Sequence, residues 1–418
     1  MQNKQLSAAT RAYIQMTHRY LANHYERFPV AVESGQGCWV KDVDGRRYLD
    51  MFADYSVHNF GRSNSQLLMV FIDQVTKLSL CAGNFYNPFL AQLGKALAEF
   101  SGILNAKFLP GNSGAEAVEK TLKIARRWGC INKKLDKSKG EVAEIIAAFS
   151  NFHGRTMGAL SLSANQHYKE GFGPFLPGIR WVKFGDAADL KRAINKNTAA
   201  FIVEPIQGEG GFIFPPDGYF KEVAKICHEE NVLLILDEIP TAFARTGYNF
   251  PHEHDGITPD MIILGKALGG GLTPFSGVVV RQPVMDVLGP GSDGSTFAGN
   301  PPACRVGLEV IKMMQSGSWT KKAHQLGDYF LQSLKELDSP HIKEVRGRGL
   351  FVGVQLHPEI MAREVCGRLL EEGIMTVSAG QNVIRFTPPL VVNKIELELA
   401  VKALHRVLSK ISPDAHRG

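Results

Sequence analysis

The sequence predicts an α/β fold: a mostly parallel sheet covered by helices on both faces, joined to a smaller α+β domain. Three observations carry that prediction. Short apolar runs rich in Val, Ile and Leu recur through the middle of the chain and are too short for helices. Longer stretches with helical periodicity separate them, as expected of strands joined by crossover helices. Beyond Asn300 the order changes, and helical patterns come before strands.

From the N-terminus, the first fifty residues hold a helix and a hairpin, WVKDVDGRRYLD, that turns at Asp44-Gly45. Residues 1–50 are assigned as an N-terminal segment that forms part of the small domain. Buried strands are expected over 144–149, 199–203, 232–236, 261–264 and 276–280, and helices over 115–128 and 218–230. These belong to a large domain spanning 51–300. In the C-terminal domain, 301–418, helices are expected over 303–314 and 321–337. Strands follow over 351–355 and 383–386, and a last helix over 394–409. No internal repeat or low-complexity tract interrupts the chain.

Composition narrows the functional classes. The 418 residues are 44% hydrophobic and 21% charged, enough for a large buried core shared by two or three domains. The formal net charge is +6. Arg126, Arg127, Lys133, Lys134, Lys137 and Lys139 cluster, but no aromatic residues interleave them as a nucleic-acid stacking surface requires. They read as a solvated helix end and loop. The six cysteines are scattered without a C-x-x-C pair, and the thirteen histidines show no metal-binding spacing. A metal site and a disulfide framework are both unexpected, and a reducing compartment fits. His252 and His254 read as surface residues. The N-terminus MQNKQLSAATRAYIQ has no apolar signal-peptide core, and no apolar run approaches the roughly 18 residues of a membrane span. A soluble, cytoplasmic protein with no nucleic-acid or membrane partner is expected.

Chemistry concentrates at the ends of the expected strands. LLILDE brings Asp237 to a strand end, and MIILGKALGGG places Lys266 just past another, 29 residues later. The carboxyl ends of parallel strands are where open α/β sheets bind ligands. A buried aspartate needs a cationic partner, which a pyridinium nitrogen supplies. A lysine in the same crevice can form an imine with an aldehyde cofactor. In PGNSGAEAVEKTLKIARRW a Gly- and Ser-containing loop runs into a helix, so Ser113, Gly114 and Ala115 can cradle a phosphate at the helix N-terminus. The plainer reading is a Ser-capped helix with Glu116 closing a capping box.

Four further motifs add polar groups. SNFHGRT offers Phe152 to stack on a flat ring, His153 beside it, and Arg155 to grip a carboxylate. The plainer reading there is a core Phe and a surface Arg. VEPIQGEGG brings Glu204, Gln207 and Glu209 into one loop. DGSTFAGNP supplies the hydroxyls of Ser295 and Thr296, and VIRFTPP puts Arg385 on a strand that Pro388 ends. Gly269-Gly270-Gly271 reads as a flexible turn beside Lys266.

Together these motifs resemble the class III (ornithine/4-aminobutyrate type) aminotransferases of fold type I. NSGAEAVE, FHGRT, EPIQGEGG, LDE…RTG, PDMIILGKALGGG, GSTFAGNP and RFTPP stand in that family's order, and the likeness runs from Pro29 to Pro389. The resemblance implies a transferase that uses pyridoxal 5'-phosphate (PLP), with a mostly parallel seven-stranded sheet in its large domain and a smaller α+β domain. It implies that Lys266 and Asp237 are catalytic: Lys266 holds the cofactor as an imine and shuttles the proton, and Asp237 keeps the pyridine nitrogen protonated. Phe152 and Ile239 would sandwich the ring, with His153 in the same pocket. Ser113, Gly114 and Ala115 would hold the phosphate, joined by Ser295 and by Thr296 from the second subunit of an obligate homodimer.

Two further stretches resemble the ornithine δ-aminotransferase branch: HYERFPVAV, with Tyr25 four residues before Pro29, and ADYSVHNFG, with Tyr55. In that branch such tyrosines help bind the α-amino and carboxylate end of ornithine. The ARTG at 244–247 also fits. The reaction so implied moves the δ-amino group of L-ornithine to 2-oxoglutarate. It gives glutamate and glutamate 5-semialdehyde, which cyclises to pyrroline-5-carboxylate. Tyr25, Tyr55, Arg155, Glu204, Glu209 and Arg385 would be the substrate-binding residues. Arg385 would take the α-carboxylate of glutamate, Glu209 would mask Arg385 while ornithine reacts, and Arg155 would hold the distal carboxylate. One departure stands out. The family reads D-E-x-Q-T-G, whereas DEIPTAF has Pro240 and Ala242, and proline offers no donor to the cofactor's ring hydroxyl.

Other readings are another ω-amine donor (N-acetylornithine, 4-aminobutyrate, lysine or diaminobutyrate), a racemase or epimerase using the same Lys and Asp, and a non-catalytic binding protein. Tyr55 argues against 4-aminobutyrate, because a bulky polar residue suits a longer substrate with a second polar end. The presence of both Glu209 and Arg385 argues for two alternating substrates, hence transamination. Intact Lys266, Asp237 and phosphate loop argue against a protein without catalysis.

Overall fold

The computed structural model describes residues 6–411. Residues 1–5 and 412–418, the outer ends of the expected terminal segments, lie outside the described residues. The strands in chain order are β1 (Val32–Gln36), β2 (Trp39–Asp42), β3 (Arg47–Asp50), β4 (Ala106–Gly111), β5 (Glu144–Ala148), β6 (Ile179–Val182), β7 (Thr198–Val203), β8 (Leu233–Asp237), β9 (Met261–Leu264), β10 (Ser276–Arg281), β11 (Ile342–Arg348), β12 (Phe351–Leu356), β13 (Ile374–Met375), β14 (Val377–Ala379) and β15 (Val383–Phe386).

The central sheet has seven strands in the order β4-β10-β9-β8-β7-β5-β6. Only β10 runs against its neighbours; the other strands are parallel to one another. Every residue of β7, β8 and β9 is buried, which is why these strands are apolar on both faces. Alternate side chains feed two cores. Ile145 and Ala147 pack with the buried face of helix Gly114–Asn132, whereas Ile146 and Ala148 join a larger core that includes helices Tyr219–Glu229 and Pro301–Gln315. Each isoleucine, leucine or valine buried in this way contributes about 1.5–3 kcal/mol, and an alanine less.

Five of the seven strands coincide with the apolar runs. The two that do not, β4 and β6, lie at the sheet edges, where the apolar signal is weak. β4 reads AKFLPG, and Pro110 within it argues against a strand unless that strand is at an edge. β6 is only IRWV. Because β4, β5, β7, β8 and β9 run the same way, the loops after all five leave from one edge of the sheet.

The chain's two ends meet. β11-β12-β15-β14 form an antiparallel sheet, while β13 leaves that region to pair in parallel with β3 of the N-terminal hairpin sheet. The Trp39 indole N–H also donates to Glu396 at 2.7 Å, on the last helix, Lys394–Leu408. That helix starts with a capping box between Asn393 and Glu396.

Two sequence expectations are corrected. His252 is not a surface residue: it is buried, and its Nδ1 lies 2.8 Å from the buried Glu238, while His254 is exposed. Gly269-Gly270-Gly271 is not a loose turn. It closes a 3₁₀ turn at Lys266–Gly269 and is packed so tightly that a Cβ on Gly271 would lie 2.3 Å from His58 Nδ1. The basic cluster is partly tied down, with Arg127 donating to Ser292 Oγ at 2.8 Å and Lys133 to the Glu230 carbonyl at 3.0 Å. Among the described residues no helix is long and apolar enough to cross a membrane.

Candidate active site

The loops at the carboxyl edge bring most of the expected residues together. Asp237 ends β8, 2% exposed. Its Oδ2 lies 2.8 Å from His153 Nδ1, and its Oδ1 accepts from the Ile239 backbone N–H at 3.2 Å. Burial alone would push the His153 imidazolium down, but the hydrogen bond and charge of Asp237, aided by Glu204, raise it. The other ring nitrogen, Nε2, is buried without a partner. Asp237 is thus fixed by a histidine, and its charge acts on the Lys266 ammonium, just past the end of β9.

Lys266 is half-buried and adopts a left-handed backbone, φ 45°. Burial lowers its ammonium to about 8; Glu209 opposes that shift and Arg385 adds to it. A neutral, nucleophilic amine is therefore accessible near neutral pH. Ile239 lies over Gly114: a Cβ there would come 2.9 Å from Ile239 Cδ1, and the isoleucine would have to shift.

Ser113 is the N-cap of the 19-residue helix Gly114–Asn132 and accepts from the Glu116 N–H at 3.1 Å. Glu116 does not complete the capping box; its carboxylate turns back one residue further, to the backbone and side chain of Asn112, both at 2.9 Å. The exposed helix start retains the N–H groups of Gly114 and Ala115, which suits an anion. Asn112 also donates to Ser295 Oγ at 2.9 Å, bringing the 291–297 loop to this cradle. Asp293 anchors that loop through ion pairs with Lys120 and Lys123, leaving Thr296 exposed. This anchoring was not legible in the motif itself.

Arg385, on β15, is buried and forms an ion pair with Glu209. Its guanidinium carbon lies 4.8 Å from the Tyr55 ring centre and 5.5 Å from that of Phe212. Phe212 was not anticipated; it follows the glycine pair of the GEGG loop and stacks on Phe351 at 4.2 Å. Arg155 is exposed and lies 3.9 Å over the ring of Tyr168, another unanticipated residue, and 5.9 Å from Phe152. Tyr25 is more exposed, yet close enough to Tyr55 to act on its phenol electrostatically.

Glu204 is placed differently from a group that meets substrate. It is 2% exposed and accepts from the backbone N–H groups of Phe152 at 3.0 Å and Gly208 at 3.4 Å. Burial, with Asp237 nearby, pushes its carboxyl up to about 7. It holds the Phe152 loop from beneath. Pro240 sits half-buried in the turn after Asp237 and offers no donor.

Tyr55 sits in an unusual backbone. Ala53, Asp54, Tyr55 and Ser56 have φ of 48°, 47°, 63° and 69°, one turn of left-handed helix without a glycine. For L-residues this costs about 1–2 kcal/mol each.

The pocket has the features that PLP requires: an anion cradle at a helix start, a fixed carboxylate, and a lysine of lowered pKa beside them. Among the described residues, no group of three His, Cys, Asp or Glu side chains could hold a metal ion.

Comparisons with known proteins point the same way. The family model described as aminotransferase class-III matches residues 20–408. The ornithine aminotransferase of Bacillus subtilis (strain 168) is 46% identical over 395 residues, 94% of this chain and 97% of that protein. A structure of ornithine aminotransferase from Toxoplasma gondii, with partial occupancy of PLP at its active site, is 35% identical with a TM-score of 0.93. The match covers 98% of this chain and 96% of that one. The acetylornithine aminotransferase from Elizabethkingia anophelis is 33% identical with a TM-score of 0.85, over 96% and 99% of the two chains.

Proposed function

The chain belongs to the class-III aminotransferases, and from that premise we propose that it transfers the δ-amino group of L-ornithine to 2-oxoglutarate. The products are glutamate and glutamate 5-semialdehyde, which closes to pyrroline-5-carboxylate. One observation carries the substrate reading: the Glu209–Arg385 ion pair, in electrostatic reach of Lys266. Ornithine reacts at an amine with no adjacent carboxylate, whereas glutamate reacts at one that has it. An arginine masked in one half-reaction and released in the other serves both. Leaving Arg385 buried and unpaired would be costly, so Glu209 moves aside only when a substrate carboxylate replaces it.

When bound, PLP supplies an aldehyde to hold the migrating amino group and a ring to accept electrons. The chain's residues do the rest. Lys266 in its neutral form takes the proton from the substrate carbon and returns it. Asp237, fixed by His153, holds a proton on the ring nitrogen. Gly114 and Ala115 bind the phosphate through their N–H groups, with Ser113 and Ser295 beside them, and Phe152 and Ile239 flank the ring. Arg155 takes the distal carboxylate, and Tyr25 and Tyr55 receive the α-amino and carboxylate end of ornithine. Glu204 supports the Phe152 loop. Pro240 has no donor for the ring hydroxyl, so that contact would be lost or taken over by water or another group.

We place cofactor binding in 51–300, with 301–418 and the N-terminal 1–50 as the small domain. The anchored loop that leaves Thr296 exposed supports a homodimer in which Thr296 meets the neighbouring subunit's phosphate. Six cysteines outside any disulfide support a cytoplasmic setting.

The test is product analysis with 2-oxoglutarate as acceptor. Pyrroline-5-carboxylate and glutamate should form in equal amounts from L-ornithine, faster than N-acetylornithine, lysine or 4-aminobutyrate react. A faster reaction with any of those three would move the substrate assignment to it.

A further inference from the structure

The left-handed turn at 53–56 is uphill for every residue in it, so something must hold it. Two carboxylates, an arginine and a histidine do. Asp50, fully buried, accepts at Oδ1 from the N–H groups of Phe52 at 3.1 Å and Ala53 at 2.8 Å, fixing the entry. Arg62 bridges the Oδ2 atoms of Asp50 and Asp54, each at 2.9 Å. His58 Nε2 lies 3.2 Å from Asp54 Oδ2, and the same ring packs on Gly271, five residues past Lys266. Thr387, two residues after Arg385, donates to the Phe52 carbonyl at 2.9 Å. The turn is therefore tied to the segments that carry both Lys266 and Arg385. Its outward residue is Tyr55, set on the Arg385 guanidinium.

We propose that Asp54, clamped by Arg62 and His58, is a positioning residue that sets substrate discrimination by locking Tyr55 over Arg385. This rests on the ornithine reading above. Asp54 pairs with Arg62 and His58, and neither of these is among the residues assigned above to substrate or cofactor. Its side chain is 42% exposed, and no packing demand accounts for it. Without the clamp the turn relaxes toward right-handed or extended backbone, and Tyr55 leaves the arginine. The half-reaction that needs Tyr55 then suffers, while the one that needs only Arg385 does not.

The test follows single turnovers of PLP-loaded enzyme with each amino donor alone. Asp54→Ala should lower the efficiency with L-ornithine at least about ten-fold while changing that with L-glutamate less than about two-fold. Asp54→Asn keeps a residue tolerant of left-handed backbone and able to accept from Arg62, and should stay within about three-fold of wild type for both. Should Asp54→Ala not accumulate as folded protein, His58→Gln removes one arm of the clamp and should shift the same ratio by about three-fold. Equal losses in both half-reactions, or no change in their ratio, would overturn the clamp. If the wild-type enzyme itself ignores ornithine, the substrate reading fails. The clamp is then judged by the same ratio using the ω-amine that does react.

Discussion

Lys266 has the pH behaviour most directly set by its surroundings. Its ammonium is lowered to about 8 from 10.5, so capture of PLP by the cofactor-free protein should quicken about ten-fold per pH unit below 8 and level off above it. A rate that keeps climbing toward pH 10.5 would contradict the buried environment. At Glu209 the expectation is a change of preference. Glu209→Ala should unmask Arg385 and lower the ornithine-to-glutamate ratio of half-reaction efficiencies about ten-fold or more, some 1.4 kcal/mol; an unchanged ratio would end the masking idea. Glu204 bears on stability. Its carboxyl is raised from 4.5 to about 7, so the stability that it lends when protonated is present below pH 4.5 and is lost as pH rises through 7. Glu204→Gln should therefore raise the melting temperature more at pH 7.5 than at pH 5, by about 1–3 kcal/mol in stability. Thermal scans at the two pH values would check this, and an equal effect at both would contradict it. At this scale the sequence was informative where a residue ends a strand, as with Asp237 and Lys266. It was silent on Asp54, His58 and Arg62, because a left-handed turn without glycine leaves no compositional mark.

The elements were legible in proportion to their burial. β7, β8 and β9, buried throughout, stand out as apolar runs, whereas the edge strands β4 and β6 carry Pro110 and Arg180 and do not. β11, reading IKEVRGR at the edge of the small sheet, escaped for the same reason. Close helix-to-sheet approach has a testable consequence at Gly129, on helix Gly114–Asn132. A Cβ there would lie 2.5 Å from Ala199 Cβ and 2.8 Å from Ala143 Cβ. Gly129→Ala should destabilise the fold by about 1–3 kcal/mol in denaturant titrations while leaving the half-reactions intact. A neutral effect would mean that the helix can lift off β7 more easily than the packing implies.

Across the whole molecule, a buried cation ties the loop after β8 to the C-terminal segments that flank β12 and β15. Arg245, fully buried, donates to the carbonyls of Leu350 at 3.0 Å and Pro388 at 2.6 Å, and to Asn59 Oδ1 at 2.6 Å. Removing it strands three acceptors. Arg245→Met should cost about 2–5 kcal/mol, seen as a lower denaturation midpoint. A midpoint equal to wild type would show that the fold does not depend on it. The order of motifs along the chain foretold the architecture; this junction was hidden, because its partners are backbone carbonyls 105 and 143 residues away.

The central claim is that one pocket serves two amino donors in turn. The most direct test is the absorption of the PLP-loaded protein on adding L-ornithine alone. The account predicts loss of the cofactor's resting band, one equivalent of trapped pyrroline-5-carboxylate per site, and return of the band on adding 2-oxoglutarate. A band unmoved by ornithine but bleached by another ω-amine would contradict the substrate, and a band that 2-oxoglutarate fails to restore would contradict the alternation itself.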